Sequence, residues 1–410
     1  MDPTIRPANV AVLVKIEATE GVDAAPDPTV DAIPVEADSV TYGNPWTQEA
    51  SNEATGSLVA GAPLIIGQTV PISFKSRVKG AGVGAVYSST VKPPLHQTFQ
   101  ICGWRGQFTA AIAAAVATAG SATTLTLPAA FPAVSRAVLG MILLLTGGAG
   151  SGAQPAVIDY SAARVATLSD SFTPVLDATT QVSMPANWTY SQTSPSDQAS
   201  RLADQPSGTI YIYEDGRLYK FTACRGTLTL DGKSARPGYA TFNGTGIFAG
   251  RVDAAIPANL AIAGHSAPVL VQGTGVSNAA SMNRKPINLS TWSLDPGSQI
   301  ENIDDPNTPY GFGAGQIVDR APMLKVDPLA TLIANRDIIS DIGNGVTMPV
   351  VLRHGSQAGN RWALIAPFAQ PAQADNGTRG KLRSEDISLQ CRTLGKDSVG
   401  RDSDKYAVFF

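Results

Sequence analysis

The 410-residue chain is poor in the side chains that do chemistry: three cysteines, three histidines and only 15% charged residues. Cys102, Cys224 and Cys391 are far apart, odd in number and form no C-x-x-C pair. That excludes a disulfide framework and a zinc ribbon, and folding in a reducing cytoplasm is expected. His96, His265 and His354 have no metal-ligand partner at helical or strand spacing, so no metal site and no cofactor is expected. Lys and Arg number 30 against 33 Asp and Glu, a net charge of −3 with no block of one sign. This is not the electrostatic footprint of a protein that grips nucleic acid or an anionic membrane. The longest apolar stretch, Ala137 to Leu145, falls far short of the roughly 18 residues of a membrane span. Ahead of the first apolar run stand Asp2 and two prolines rather than a basic start, so no secretion signal is expected.

Nucleotide motifs fail as well. Gly232-Lys233-Ser234 ends like a phosphate-binding loop, but Thr227 stands where its first glycine is required. The glycines from Gly80 to Gly84 follow a strand without a helix behind them, and no G-x-S-x-G elbow occurs.

What is present is turn-rich and alternating. Hydrophobic residues make up 43%, with 39 Gly and 29 Pro, in a chain long enough for two to three domains. Val10, Val12 and Val14 share one strand face; Val70, Ile72 and Phe74 lie opposite Ser73, Lys75 and Arg77. The segments Ile210–Tyr213 and Leu218–Phe221 flank Asp215-Gly216, a dipeptide that tolerates the positive φ of a tight hairpin turn. Further strands are expected at 226–230, 241–248, 350–353, 362–365, 387–392 and 406–410. Helix is scarce: one short helix is expected over Pro93–Cys102 and another over Pro328–Ile339, the latter with Leu329, Leu332 and Ile333 on one face.

These two helices occupy equivalent places in a pattern that occurs twice. A strand at Ser39–Tyr42, a long polar loop from Asn44 to Gly67, a strand at Val70–Val78 and the first helix make one copy. A strand at Leu289–Leu294, a long loop from Asp295 to Gly315, a strand at Gln316–Val326 and the second helix make the other. Each copy then closes with a hairpin and further strands. The expected fold is therefore mainly β: a discontinuous first module (1–105 and 207–253), an inserted small β domain (106–206) rich in Ala, Thr, Gly and Ser, a linker (254–283) and a second module (284–410).

Two clusters invite a binding reading. Asn302, Asp304, Asp305 and Asn307 offer oxygens to a hard cation but lack EF-hand spacing; turn-capping beside Pro306 accounts for them. Lys75, Arg77 and Lys79 form a basic stripe on one strand face, suited to solvent, to phosphates or to an acidic neighbouring subunit.

With these residues in view, the chain resembles the major tail tube proteins of long-tailed bacteriophages. The resemblance rests on the opening segment from Leu13 to Pro26, on Gly226–Leu230 with Pro237–Phe242 and Gly246, on Asp319-Arg320, and on Gly359–Trp362 with a terminal strand. The 106–206 block is similar to a small β module of phage virion proteins, through Gly140-Met141-Ile142, Gly147–Gln154, Ile158–Tyr160 and Arg164–Leu168. The resemblance implies two tube-type β-sandwich modules, each with a short helix, whose inner strands form a β-barrel on oligomerisation. It implies a non-enzymatic virion protein, made in the host cytoplasm, that stacks in rings as the siphovirus tail tube. With two modules per chain, three chains supply a pseudo-sixfold ring; six chains are the alternative. Tape-measure, tail-tip and tail-terminator proteins are the implied partners, and DNA crosses the lumen without specific binding. The long loops are the expected ring contacts, with Pro45, Trp46, Lys75, Arg77, Asp304, Asp305 and Tyr310 as interface candidates. A surface decoration or adhesin that binds host glycans is the competing reading, and a polysaccharide-cleaving enzyme would have only Glu301, Asp304 and Asp305 to draw on.

Overall fold

The computed structural model describes residues 4–54, 56–59, 61–264, 267, 269, 270 and 278–410. Among the described residues the protein is mainly β, with 45% in strands and 6% in helix, counting three short α-helices and two 3-10 turns. Besides the two-residue strands Ala32–Ile33 and Lys285–Pro286, the elements of its main sheet and arms are, in chain order, β1 (Val10–Ile16), β2 (Thr41–Tyr42), β3 (Trp46–Glu49), β4 (Leu64–Gly67), β5 (Val70–Arg77), α1 (His96–Ile101), β6 (Trp104–Thr109), β7 (Asn187–Gln192), α2 (Gln198–Asp204), β8 (Gly208–Glu214), β9 (Arg217–Lys233) and β10 (Gly238–Asp253). There follow β11 (Ala280–Met282), β12 (Thr291–Asp295), β13 (Gln299–Glu301), β14 (Gln316–Asp319), β15 (Met323–Val326), α3 (Ile338–Gly343), β16 (Met348–His354), β17 (Trp362–Arg379), β18 (Leu382–Cys391) and β19 (Tyr406–Phe409).

Period-two alternation decides which face of each strand is buried. In β5, Val70, Ile72, Phe74 and Ser76 point inward while Lys75 and Arg77 point out. Phe74 stacks on Phe242 at 4.8 Å between ring centres, and each buried side chain of this size contributes roughly 1.5–3 kcal/mol. The hairpin β8–β9 turns at Asp215 and Gly216, both at positive φ (41° and 106°), as a two-residue turn of the primed type requires. Arg6 and Asn9 hold the Asp215 carboxylate at 2.8 and 2.7 Å.

The order of pairing is the same in the two halves. In the first, β1 pairs β8, β8 pairs β9, β9 pairs β10, β10 pairs β5 and β5 pairs β2, all antiparallel. In the second, β11 pairs β16, then β17, β18, β15 and β12 follow, again antiparallel. The halves join because the far end of β9 also pairs β12, Leu230 facing Leu294 and Lys233 facing Thr291. Among the described residues no barrel closes.

Three expectations change in detail. The long loops at 44–67 and 295–315 are not irregular: β3 pairs β4 and β13 pairs β14, so each carries a hairpin arm. The strand expected over Gln316–Val326 is two strands, broken at Arg320-Ala321-Pro322, since Pro322 has no N–H to give a ladder. The second helix starts ten residues late. Asp337 caps it by accepting the Ser340 N–H, while upstream the Asn335 and Arg336 N–H groups close a turn on the Leu332 carbonyl. Leu332 and Ile333 are consequently exposed.

Two small sheets lie within the 106–206 block, one of strands at 119–120, 124–126, 157–160 and 165–168, the other at 112–116, 144–147 and 181–184. The ends of the block belong to the main sheet instead: β6 pairs β7, and β7 pairs β19. This insert also packs on the second half, where Leu139, Ile142 and Ala156 share a buried cluster with Val351, Ala363, Ile365, Tyr406, Val408 and Phe410.

Candidate assembly surface

Of the residues singled out in sequence, Pro45, Trp46, Asp304, Asp305 and Tyr310 belong to the two arms or their bases, and Lys75 and Arg77 lie on β5. Trp46, at the base of the first arm, meets Tyr310, at the tip of the second, with ring centres 5.0 Å apart. Tyr310 also lies edge-on to Phe248 at 6.3 Å. Pro45 and Trp46 line a cavity of about 390 Å³ with Tyr219, Phe221, Phe248 and Arg251. Thus two side chains expected at contacts between chains touch each other within one chain, and Trp46 still keeps 46% of its surface exposed.

Lys75 and Arg77 have acidic partners of their own. Lys75 is 3.6 Å from Asp231 and lies over the Tyr239 ring at 4.3 Å; Arg77 pairs with Glu36 at 2.6 Å. Two of the three cations of the stripe are therefore locally neutralised, which weakens their pull on phosphates, while Lys79 lies beyond the end of β5 with Arg77 as its charged neighbour. Asp305 accepts hydrogen bonds from the backbone and side chain of Asn307, both at 2.9 Å, as a turn-capping residue, and Asp304 bridges Phe312. Among the described residues no group of His, Cys, Asp and Glu is arranged to hold a metal ion.

The second arm is fastened to the first half. Asn302 bonds the hydroxyls of Thr245 at 3.1 Å and Thr69 at 3.3 Å. The guanidinium of Arg225, buried in β9, donates to the carbonyls of Gly315 at 2.7 Å and Gln205 at 3.0 Å, and pairs with Glu20 at 2.5 Å. Ile317 rests against Gly103, where a Cβ would come within 2.8 Å of it. Arg225 escaped sequence reasoning because one cation in a strand has no spacing signal and its acceptors lie 20, 90 and 205 residues away.

No family model matches the chain, and no curated protein matches it.

The remaining reactive groups sit in the core. His96 donates to or accepts from the Tyr190 hydroxyl at 2.7 Å, and His354 stacks on Trp362 at 4.0 Å. Burial lowers both imidazoles to about 3, so each is neutral at physiological pH. His265 lies outside the described residues. All three cysteines are free and buried, and burial pushes the Cys391 thiol up to about 12, away from the thiolate that nucleophilic chemistry needs. No described helix is long and apolar enough to cross a membrane.

Proposed function

We propose that this protein is a structural, self-assembling subunit of a phage tail tube, stacking in rings whose lumen conducts DNA. The observation that carries the reading is the twofold pairing order, joined in one chain by a strand of the second half added to the edge of the first. A duplicated module that hands its sheet to the next module is a unit from which a ring can be built. The resemblance in the opening segment Leu13–Pro26 and around Gly226–Phe242 supplies the type of ring. Two modules per chain favour three chains per ring, with inner strands closing a barrel that leaves no exposed edges. Neutralised basic residues suit a lumen through which DNA slides, since each phosphate contact would add salt-dependent friction. In this reading the protein is not an enzyme, and the tape-measure, tail-tip and tail-terminator proteins are its partners.

Negative-stain electron microscopy of the concentrated protein, with light scattering on the smallest species, tests this. Stacked rings or tubes with threefold averages are expected. A 42.5 kDa monomer that stays monomeric with tail-tip components added refutes it and favours a surface decoration protein.

A further inference from the structure

The junction inside the chain has a counterpart that is left open. Both long hairpins shift register where the short strand ends, at Gly208/Ile210 against Phe221–Cys224 and at Met348/Val350 against Ala366–Ala369. Matching these shifts sets Arg225 on Gln370. Their cross-strand partners, Thr245 and Gln390, then correspond, as do Ile72 and Leu324, and finally Tyr42 and Leu294. The glycine that ends each helix corresponds too: Gly103 at φ 73° and Gly345 at φ 63°.

One set of complementary surfaces is used. Strand β12 lies on the end of β9, and the β13–β14 arm lies over the first half with Ile317 on Gly103. The equivalent set is vacant. Among the described strands none pairs the outer edge of β2 or the second edge of β17 over Asn376–Arg379. The β3–β4 arm holds Leu64 and Ile65 62% and 58% exposed, and Ile65 is the counterpart of Ile317. At the equivalent position of the other arm Ile317 is half-buried, because it rests on Gly103 of the neighbouring half.

We propose that a second copy of this chain fills the vacant set: its 39–42 strand adds to the Asn376–Arg379 edge of the first copy, and its 44–68 arm lies over that copy's second half with Ile65 on Gly345. The assignment rests on the self-assembly reading above and gives it a register. Leu230 facing Leu294 and Gly232 facing Trp292 become Asn376 facing Tyr42 and Thr378 facing Val40. Because the two surfaces differ, the contact is heterologous and propagates until it closes.

The test is oxidation of the full-length Val40→Cys/Thr378→Cys protein, with Thr41→Cys/Thr378→Cys as the control whose side chains point to opposite faces. A ladder in steps of 42.5 kDa that stops at the ring's copy number is expected from the first and at least tenfold less product from the second. Ile65→Asp should remain a folded monomer by circular dichroism and need at least tenfold more protein to assemble. Rings from the wild type without the cross-link overturn this inference and leave the proposed function standing. A cross-linked ladder without tubes supports the contact and counts against the tube. Monomers throughout, with no cross-link, overturn both.

Discussion

Replacing His354 by Phe should flatten the acid sensitivity of this protein. His354 is fully buried and stacked on Trp362. Its folded value of about 3 lies below the unfolded value of about 6.5. Between these values the unfolded chain binds the extra proton, so the neutral core imidazole supports the fold above about pH 6.5 and opposes it as pH falls. From pH 7.5 to pH 5.0 the loss works out at about 2 kcal/mol per histidine, and any folded value below about 4 gives the same figure. His96, held near 3 by burial, adds an equal loss, so the wild type should lose about 4 kcal/mol over this range and the variant about 2. Whatever the added carbon costs in packing is independent of pH and drops out of the comparison. Urea unfolding followed by tryptophan fluorescence at both pH values is the assay. Parallel pH dependences for the two proteins would refute the argument.

Other substitutions probe the joints between units. Arg353 is buried in β16 and bonds Asp170 of the insert at 3.0 Å and the Asn278 carbonyl at 2.9 Å; Arg353→Met should destabilise by about 3 kcal/mol, as loss of one partner of a buried pair does. Adding Asp170→Asn should recover part of that loss in the same unfolding assay, because the stranded carboxylate is then neutral. Gly140 has φ 72° and its position for a Cβ is already filled by the Tyr406 ring, so Gly140→Ala should lower the melting temperature through a cost above about 1 kcal/mol, and an unchanged melting temperature would disprove the close approach.

Much of this architecture could be read in the sequence because it is written locally. Alternation in Val70–Arg77 gives the buried face, and Asp215-Gly216 gives the turn, without reference to anything distant. The arms were harder. Their strands are short and half their residues polar, so Asn44–Gly67 and Asp295–Gly315 look like loops until the pairings are seen. Trp46 and Tyr310 stand out as aromatics in polar surroundings, yet nothing in their spacing tells that they meet each other. The second helix was displaced because amphipathic spacing over Leu329–Ile333 competes with a stronger cap at Asp337. The buried arginines were illegible for a different reason: burial of a cation is decided by acceptors from remote parts of the chain.

Those arginines bear on how the parts come together. Arg225 finds its acceptors in Glu20, Gln205 and Gly315, Arg353 in Gln154, Asp170 and Asn278, and Arg401 in Asp397 and Thr189. A half-docked insert or a detached arm would leave a guanidinium covered but short of acceptors, a state penalised by several kcal/mol. The expected consequence is that the arm, insert and two halves engage together, so that urea unfolding followed at the insert and at the main sheet gives one coincident transition.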